Sequence, residues 1–237
     1  MSLFFLSAFG YPLLDRCLTR IPFLEINGPP YRRHVIRNRM LSFVHNLAIS
    51  SIAGWVSFGM DVKGKDLLRD RIGAISNVLL FETGYIFQDS VMESFSLISF
   101  GKWGGTPIFI HHLAVLAALG VYFKYLQLGD YYIAVLLLMT SSNVFLHGGY
   151  LARSFLGEGS LLAKICGGLF PLSYAVSRFC IYPWIFYVYA RQRQFEFSWW
   201  EAPAHLKWYC QAGAVGFCAF NIWLAARVLL QLRRKHN

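Results

Sequence analysis

Apolar runs long enough to cross a bilayer recur along this chain, broken only by short charged or Pro/Gly-rich segments, and they leave it almost no choice of fold. About 20 apolar residues cross the hydrocarbon core as a helix rising about 1.5 Å per residue. Such runs fall at roughly 2–19, 40–60, 72–98, 107–126, 130–152, 161–190 and 208–230. Of the 237 residues, 56% are hydrophobic and only 14% charged, against roughly 25% charged in soluble domains. A soluble catalytic domain has no room. The expectation is an all-α, multi-pass transmembrane helix bundle of about six to seven spans.

The first run is ambiguous, because Ser2 to Leu14 precedes Asp15 and Arg16 and could form the core of a signal peptide. The stretch ahead of it holds no Lys or Arg and no small-x-small cleavage site follows, so it reads as a retained span. Cations in the short loops then set orientation. Arg16, Arg20, Arg32, Arg33, Arg37, Arg39, Lys102, Arg153, Lys164, Arg233, Arg234 and Lys235 share one side, which places the C-terminus in the cytosol. The formal charge of +10 comes without a nucleic-acid module, so it reads as anchorage to anionic lipid, worth about 1 kcal/mol per residue. The five cysteines form no CxxC, and nothing in the sequence has metal-ligand spacing.

Polar groups inside the spans point to a site, since ionisable side chains at membrane depth are costly unless they face the bundle interior or a wet cavity. Glu82, Tyr85, Asp89 and Glu93 share one helix face, and Thr140, Asn143, His147 and Tyr150 share another. The second run carries Ser42, His45 and Asn46, the sixth Tyr174, Arg178 and Tyr182, and the fourth opens with His111 and His112. Adjacent helical residues diverge by about 100°, so the two histidines point in different directions. Chemistry at such a site would be general base catalysis. His111 or His112 would take a proton from a lipid hydroxyl or amine, Asp89 would orient the imidazole, and an acyl thioester would enter from the bilayer.

The order of S-F-V-H-N at 42–46, Trp55, G-Y-I-F-Q-D at 84–89, His111-His112, S-N-V-F-L at 142–146 and Arg178 resembles the TLC domain. TRAM, Lag1-type ceramide synthases, CLN-type proteins and small TLC-domain-containing proteins share that domain. The resemblance divides the chain into an N-terminal span with a basic cytosolic loop (1–33), a TLC domain (34–230) and a basic cytosolic tail (231–237). It is strongest to the small members linked to membrane fluidity and phospholipid acyl composition. Ceramide synthases carry a further His-Asp step and another Asp where this chain has Met139, Thr140 and Asn143, so the resemblance implies a lipid site with an incomplete ceramide-synthase motif.

The leading expectation is a regulator of membrane lipid composition and fluidity that binds or handles lipid in an intramembrane polar cavity. His45, Tyr85, Asn143 and Arg178 would bind lipid, and His111, His112 and Asp89 would be the catalytic residues if the site is enzymatic. The alternatives are an acyl-CoA-dependent lipid acyltransferase and a chaperone or receptor for membrane cargo. No cofactor is evident, acyl-CoA entering as a substrate. Membrane lipids are the expected partners, nucleic acid is not, and homo-oligomerisation is left open. The resemblance implies the plasma membrane or the endoplasmic reticulum.

Overall fold

The computed structural model describes residues 10, 12–13, 16–17, 29–61, 65–67, 69–101, 106–123, 129–194 and 196–236. The span expected at 2–19 lies outside these, scattered positions apart. The regular structure is helical, with no strand among the described residues. Helix α1 spans Pro30–Gly54 and widens into a π turn at Trp55–Gly59. Helices α2 (Gly73–Phe100) and α3 (Thr106–Val121) follow. Next, α4 (Asp130–Leu137) passes through a short 3₁₀ turn into α5 (Ser141–Leu156). Helix α6 (Leu161–Ala175) continues through a π turn at Val176–Cys180 into α7 (Ile181–Gln192), and α8 covers Trp208–His236.

Among the described residues, four helical segments are long and apolar enough to cross a membrane: Pro30–Gly59, Asp130–Leu156, Leu161–Gln192 and Trp208–Ala226. Helix α2 has the length, at 28 residues, but carries Glu82, Asp89 and Glu93. Phe109–Gly120 within α3 is a shorter apolar helix. Outward faces are greasy, with Ile98 83% and Phe58 70% exposed, as suits contact with lipid tails.

The largest departure from the sequence expectation lies at the start of α1. The basic stretch up to Arg39 reads as loop by charge, yet the helix begins ten residues before the expected span, at Pro30. Proline at the first helical position has its φ preset and needs no intrahelical donor, so it starts the helix there. At about 1.5 Å per residue the 30-residue segment Pro30–Gly59 is longer than the roughly 30 Å hydrocarbon core. Its first, basic turns can therefore remain at the interface while the rest crosses. At the other end of the chain, the expected tail from 231 continues α8 as helix to His236.

Two compact units divide the chain, Met1–Ser173 and Tyr174–Asn237. In the first, α1 packs against α2 and α5. A Cβ on Gly148 would lie 3.2 Å from the Phe43 ring, and one on Gly149 would lie 3.2 Å from Cys166 Cβ. With little hydrophobic drive between helices in lipid, close backbone approach at small residues supplies the contact. Gly149→Leu is expected to destabilise the unit by about 1–3 kcal/mol through overpacking, read as an earlier thermal melt in detergent.

A clasp closes the same unit at its α3–α4 end. Gly129 adopts a left-handed φ of 78° and starts α4, which buries Asp130 completely. One carboxylate oxygen accepts from Arg71 Nε at 3.1 Å and from the Ile72 backbone N–H at 2.6 Å, and the other accepts from the Tyr122 hydroxyl. One side chain thus ties together the segment before α2, the end of α3 and the start of α4.

In the second unit α8 meets the Val176–Cys180 turn. The connecting segment is held by the stacked Phe197 and His205 rings, 4.0 Å apart, and by the Ser198 backbone N–H donating to Glu201.

Candidate functional site

The polar face of α1 repeats at Asn38, Ser42 and His45, and that of α2 at Glu82, Tyr85 and Asp89. Spacings of three and four residues place each set on one stripe, and the two helices run antiparallel, so the stripes meet rung by rung. At the first rung Asn38 Nδ2 donates to Asp89 Oδ1 at 3.0 Å. At the second the Tyr85 hydroxyl donates to Ser42 Oγ at 2.8 Å, and Ser42 in turn donates to the Asn38 carbonyl at 2.9 Å. At the third His45 Nε2 and Glu82 Oε2 share a hydrogen bond of 2.6 Å. The His45 ring stacks on Tyr85 with centroids 3.7 Å apart.

Helix α3 brings the imidazole of His112 to the first rung. Its Nε2 lies 3.5 Å from Asp89 Oδ2, and its Nδ1 lies 3.3 Å from Ser90 Oγ. His112 and Asp89 are buried, whereas His111 and Ser90 are half-buried. The His111 and His112 ring centroids are 6.0 Å apart. His112 is therefore the imidazole beside the carboxylate, and the tandem pair divides between two directions.

Helix α5 closes the other flank of α1. Asn143 Nδ2 donates to Asn46 Oδ1 at 3.2 Å, and Asn46 Nδ2 donates to the Ser42 carbonyl at 2.6 Å. Arginine can only donate, so His147 Nδ1, 3.2 Å from Arg39 Nη1, is the acceptor there. The same guanidinium lies over the Tyr150 ring, 5.8 Å from its centroid. Thr140, on the same stripe, turns its hydroxyl back to the Leu137 carbonyl.

These contacts correct the reading of Arg39 as a loop cation. They also add Asn38 and Ser90 to the residues around Asp89 and His112, and they set Glu82, already on the inward stripe, against His45. Asn38 carried a signal that its charged surroundings masked: it lies four residues before Ser42 and eight before Asn46. Among the other expected site residues, Arg178 belongs to the second unit. There its Nη1 is 3.5 Å from Asn221 Oδ1 and its guanidinium lies over the Tyr174 ring, while the Tyr174 hydroxyl donates to the Asn221 carbonyl.

Beside the first rung some polar atoms have no protein partner. A carboxylate can only accept, so Asn38 must turn its NH₂ to Asp89, and this leaves Asn38 Oδ1 buried without a hydrogen bond. One residue before Asp89 on α2, and about 100° around the helix from it, both amide atoms of Gln88 are also buried without a hydrogen bond. Each such atom costs about 1–3 kcal/mol unless a water or ligand satisfies it. No group of three or more His, Cys, Asp or Glu among the described residues is arranged to hold a metal ion.

The family model of the TLC domain matches residues 36–230. The chain belongs to the TLC-domain family. It is accordingly a membrane-embedded helical protein, and every rung residue from Asn38 to Glu82 and Asp89, with Ser90, His112, Asn143 and Arg178, falls within the matched TLC segment. Curated proteins give no match to the chain.

Proposed function

We propose that this TLC-domain protein controls the acyl-chain composition of membrane phospholipids, and with it membrane fluidity, by binding or handling lipid at the intramembrane first rung. The observation that carries this reading is a buried carboxylate and imidazole, Asp89 and His112, beside the Asn38 Oδ1 that lacks a protein partner. Unmet donors and acceptors inside an apolar bundle suit the ester or headgroup of a lipid whose tails stay in the bilayer. His45, Glu82 and Tyr85 continue the same stripe, Asn143 with Asn46 is the lipid-binding candidate on the other flank of α1, and Arg178 is a lipid-binding candidate of the second unit. Membrane lipids are the proposed partners. The proposed setting is the plasma membrane or the endoplasmic reticulum, with the C-terminus cytosolic.

A second reading is supported by one geometric fact, the contact of both His112 nitrogens with groups useful in acyl transfer. In that reading the protein is an acyl-CoA-dependent lipid acyltransferase. His112 takes the proton of a lipid hydroxyl or amine and Asp89 holds the ring.

The test is the phospholipid acyl-chain profile of cells lacking the protein, rescued by wild type, by His112→Ala or by His111→Ala at equal expression. Wild type and His111→Ala are expected to restore the profile and His112→Ala to fail. A profile unchanged by loss of the protein would remove the lipid reading.

A further inference from the structure

Asp89, His112 and Ser90 form a contiguous acid, imidazole and hydroxyl. Asp89 Oδ2 is 3.5 Å from His112 Nε2, and His112 Nδ1 is 3.3 Å from Ser90 Oγ. Asn38 holds the other carboxylate oxygen at 3.0 Å, which fixes the acid against the ring. The hydrogen bond made by one imidazole nitrogen sets the role of the other. With Nε2–H turned toward Asp89 Oδ2, 3.5 Å away, Nδ1 is left as an acceptor facing Ser90. The Ser90 hydroxyl also reaches the Ile86 carbonyl at 2.8 Å, so a rotation about χ1 or of the O–H moves its proton between a resting partner and the base. A serine activated by an adjacent base that a third group orients is the general pattern of a covalent acyl carrier. Ser90 is half-buried whereas Asp89 and His112 are buried, which leaves the hydroxyl as the member that a lipid-borne carbonyl can approach.

We infer that Ser90 is a nucleophile that carries the acyl chain as a covalent ester between donor and acceptor, an inference that rests on the acyltransferase reading. In the first half-reaction Ser90 Oγ attacks the carbonyl carbon of an activated long-chain acyl donor, a thioester or a phospholipid ester, and its proton passes to His112 Nδ1. The tetrahedral adduct collapses, the C–S or C–O bond breaks, and the leaving group takes the proton from the imidazole. In the second half-reaction a lipid hydroxyl or amine attacks the acyl-serine and gives its proton to His112. That proton returns to Ser90 Oγ as the ester bond breaks. The two halves balance without an oxidant or reductant.

The test uses the full chain, purified and reconstituted in nanodiscs. One arm receives an alkyne-tagged long-chain acyl-CoA and the other a phosphatidylcholine with the same tag in its acyl chain; tagged peptides are mapped by mass spectrometry and acyl transfer to lipid acceptors is followed in parallel. The expected result is an ester-linked tag on Ser90, the arm that gives it identifying the donor. It is expected to be absent from Ser90→Ala, replaced by a hydroxylamine-labile thioester in Ser90→Cys, and formed at least about 10²-fold more slowly in His112→Gln. Absence of a tag at position 90 in both wild type and Ser90→Cys, in both arms, would overturn the inference. Acyl transfer that survives Ser90→Ala but not His112→Gln would also overturn it while leaving direct general base transfer standing. Transfer unaffected by either substitution would overturn the inference together with the role given to His112, and transfer absent from the wild type would remove the acyltransferase reading as well. Ser90→Cys nearly preserves the side chain's size, so poor folding of Ser90→Ala does not block the outcome.

Discussion

On the acyltransferase reading, Asp89→Asn is expected to lower lipid turnover by about 10²–10⁴-fold, the range over which a positioned acid–base group contributes to a rate, with the melting temperature nearly unchanged. The substitution keeps the side chain's size and an oxygen that can still accept from Asn38, now 3.0 Å away. It removes the carboxylate that faces His112 Nε2, so the ring loses the partner that fixes its tautomer and orientation. The measurement is turnover of a labelled phospholipid by purified protein, alongside thermal melting. Equal turnover by the variant would show that the carboxylate serves packing alone.

Asp130→Ala is expected to have the largest effect on stability, a loss of about 3–5 kcal/mol, since breaking a buried ion pair strands the remaining charge and donors. Asp130 is fully buried and accepts from Arg71, the Ile72 backbone and the Tyr122 hydroxyl. Arg71 is partly exposed, which lets it recover hydration and places the effect toward the lower end. Ile72 N–H has no comparable recourse. Thermal melting in detergent checks the size of the loss, and a shift no larger than that of a surface substitution would mean that the α3–α4 connection is held by other contacts.

The span pattern and the inward stripes were legible because helical periodicity and membrane depth act on the sequence locally. Tyr85 and Asp89 fall on one stripe by counting alone, and α1 meets that stripe with His45. Other parts depend on tertiary pairing or on a local preference that outweighed charge. Asn38 and Arg39 sit in a basic run that looks like loop, but Pro30 starts the helix early and carries both into the bundle. Ser90 carries no sequence signal of its own, and only the packing of α3 sets His112 against it. Asp130 stands at the edge of an apolar run, where an acid is unremarkable, and its burial comes from three donors distant or separate in sequence. The histidine pair was legible as costly polar groups at membrane depth, but which ring faces the acid was not, because that depends on the rotation of α3.

The most direct test of lipid handling at the first rung is photo-crosslinking with a phospholipid that carries a diazirine in its acyl chain next to the ester, using the full chain in nanodiscs and mapping the adducts by peptide. The expected result is enrichment on the α2 and α3 peptides that contain Asp89 and His112, reduced by Asn38→Leu. That substitution removes both the support of Asp89 and an unmatched buried oxygen. Adducts confined to outward residues such as Phe58 and Ile98, unchanged by Asn38→Leu, would contradict the account.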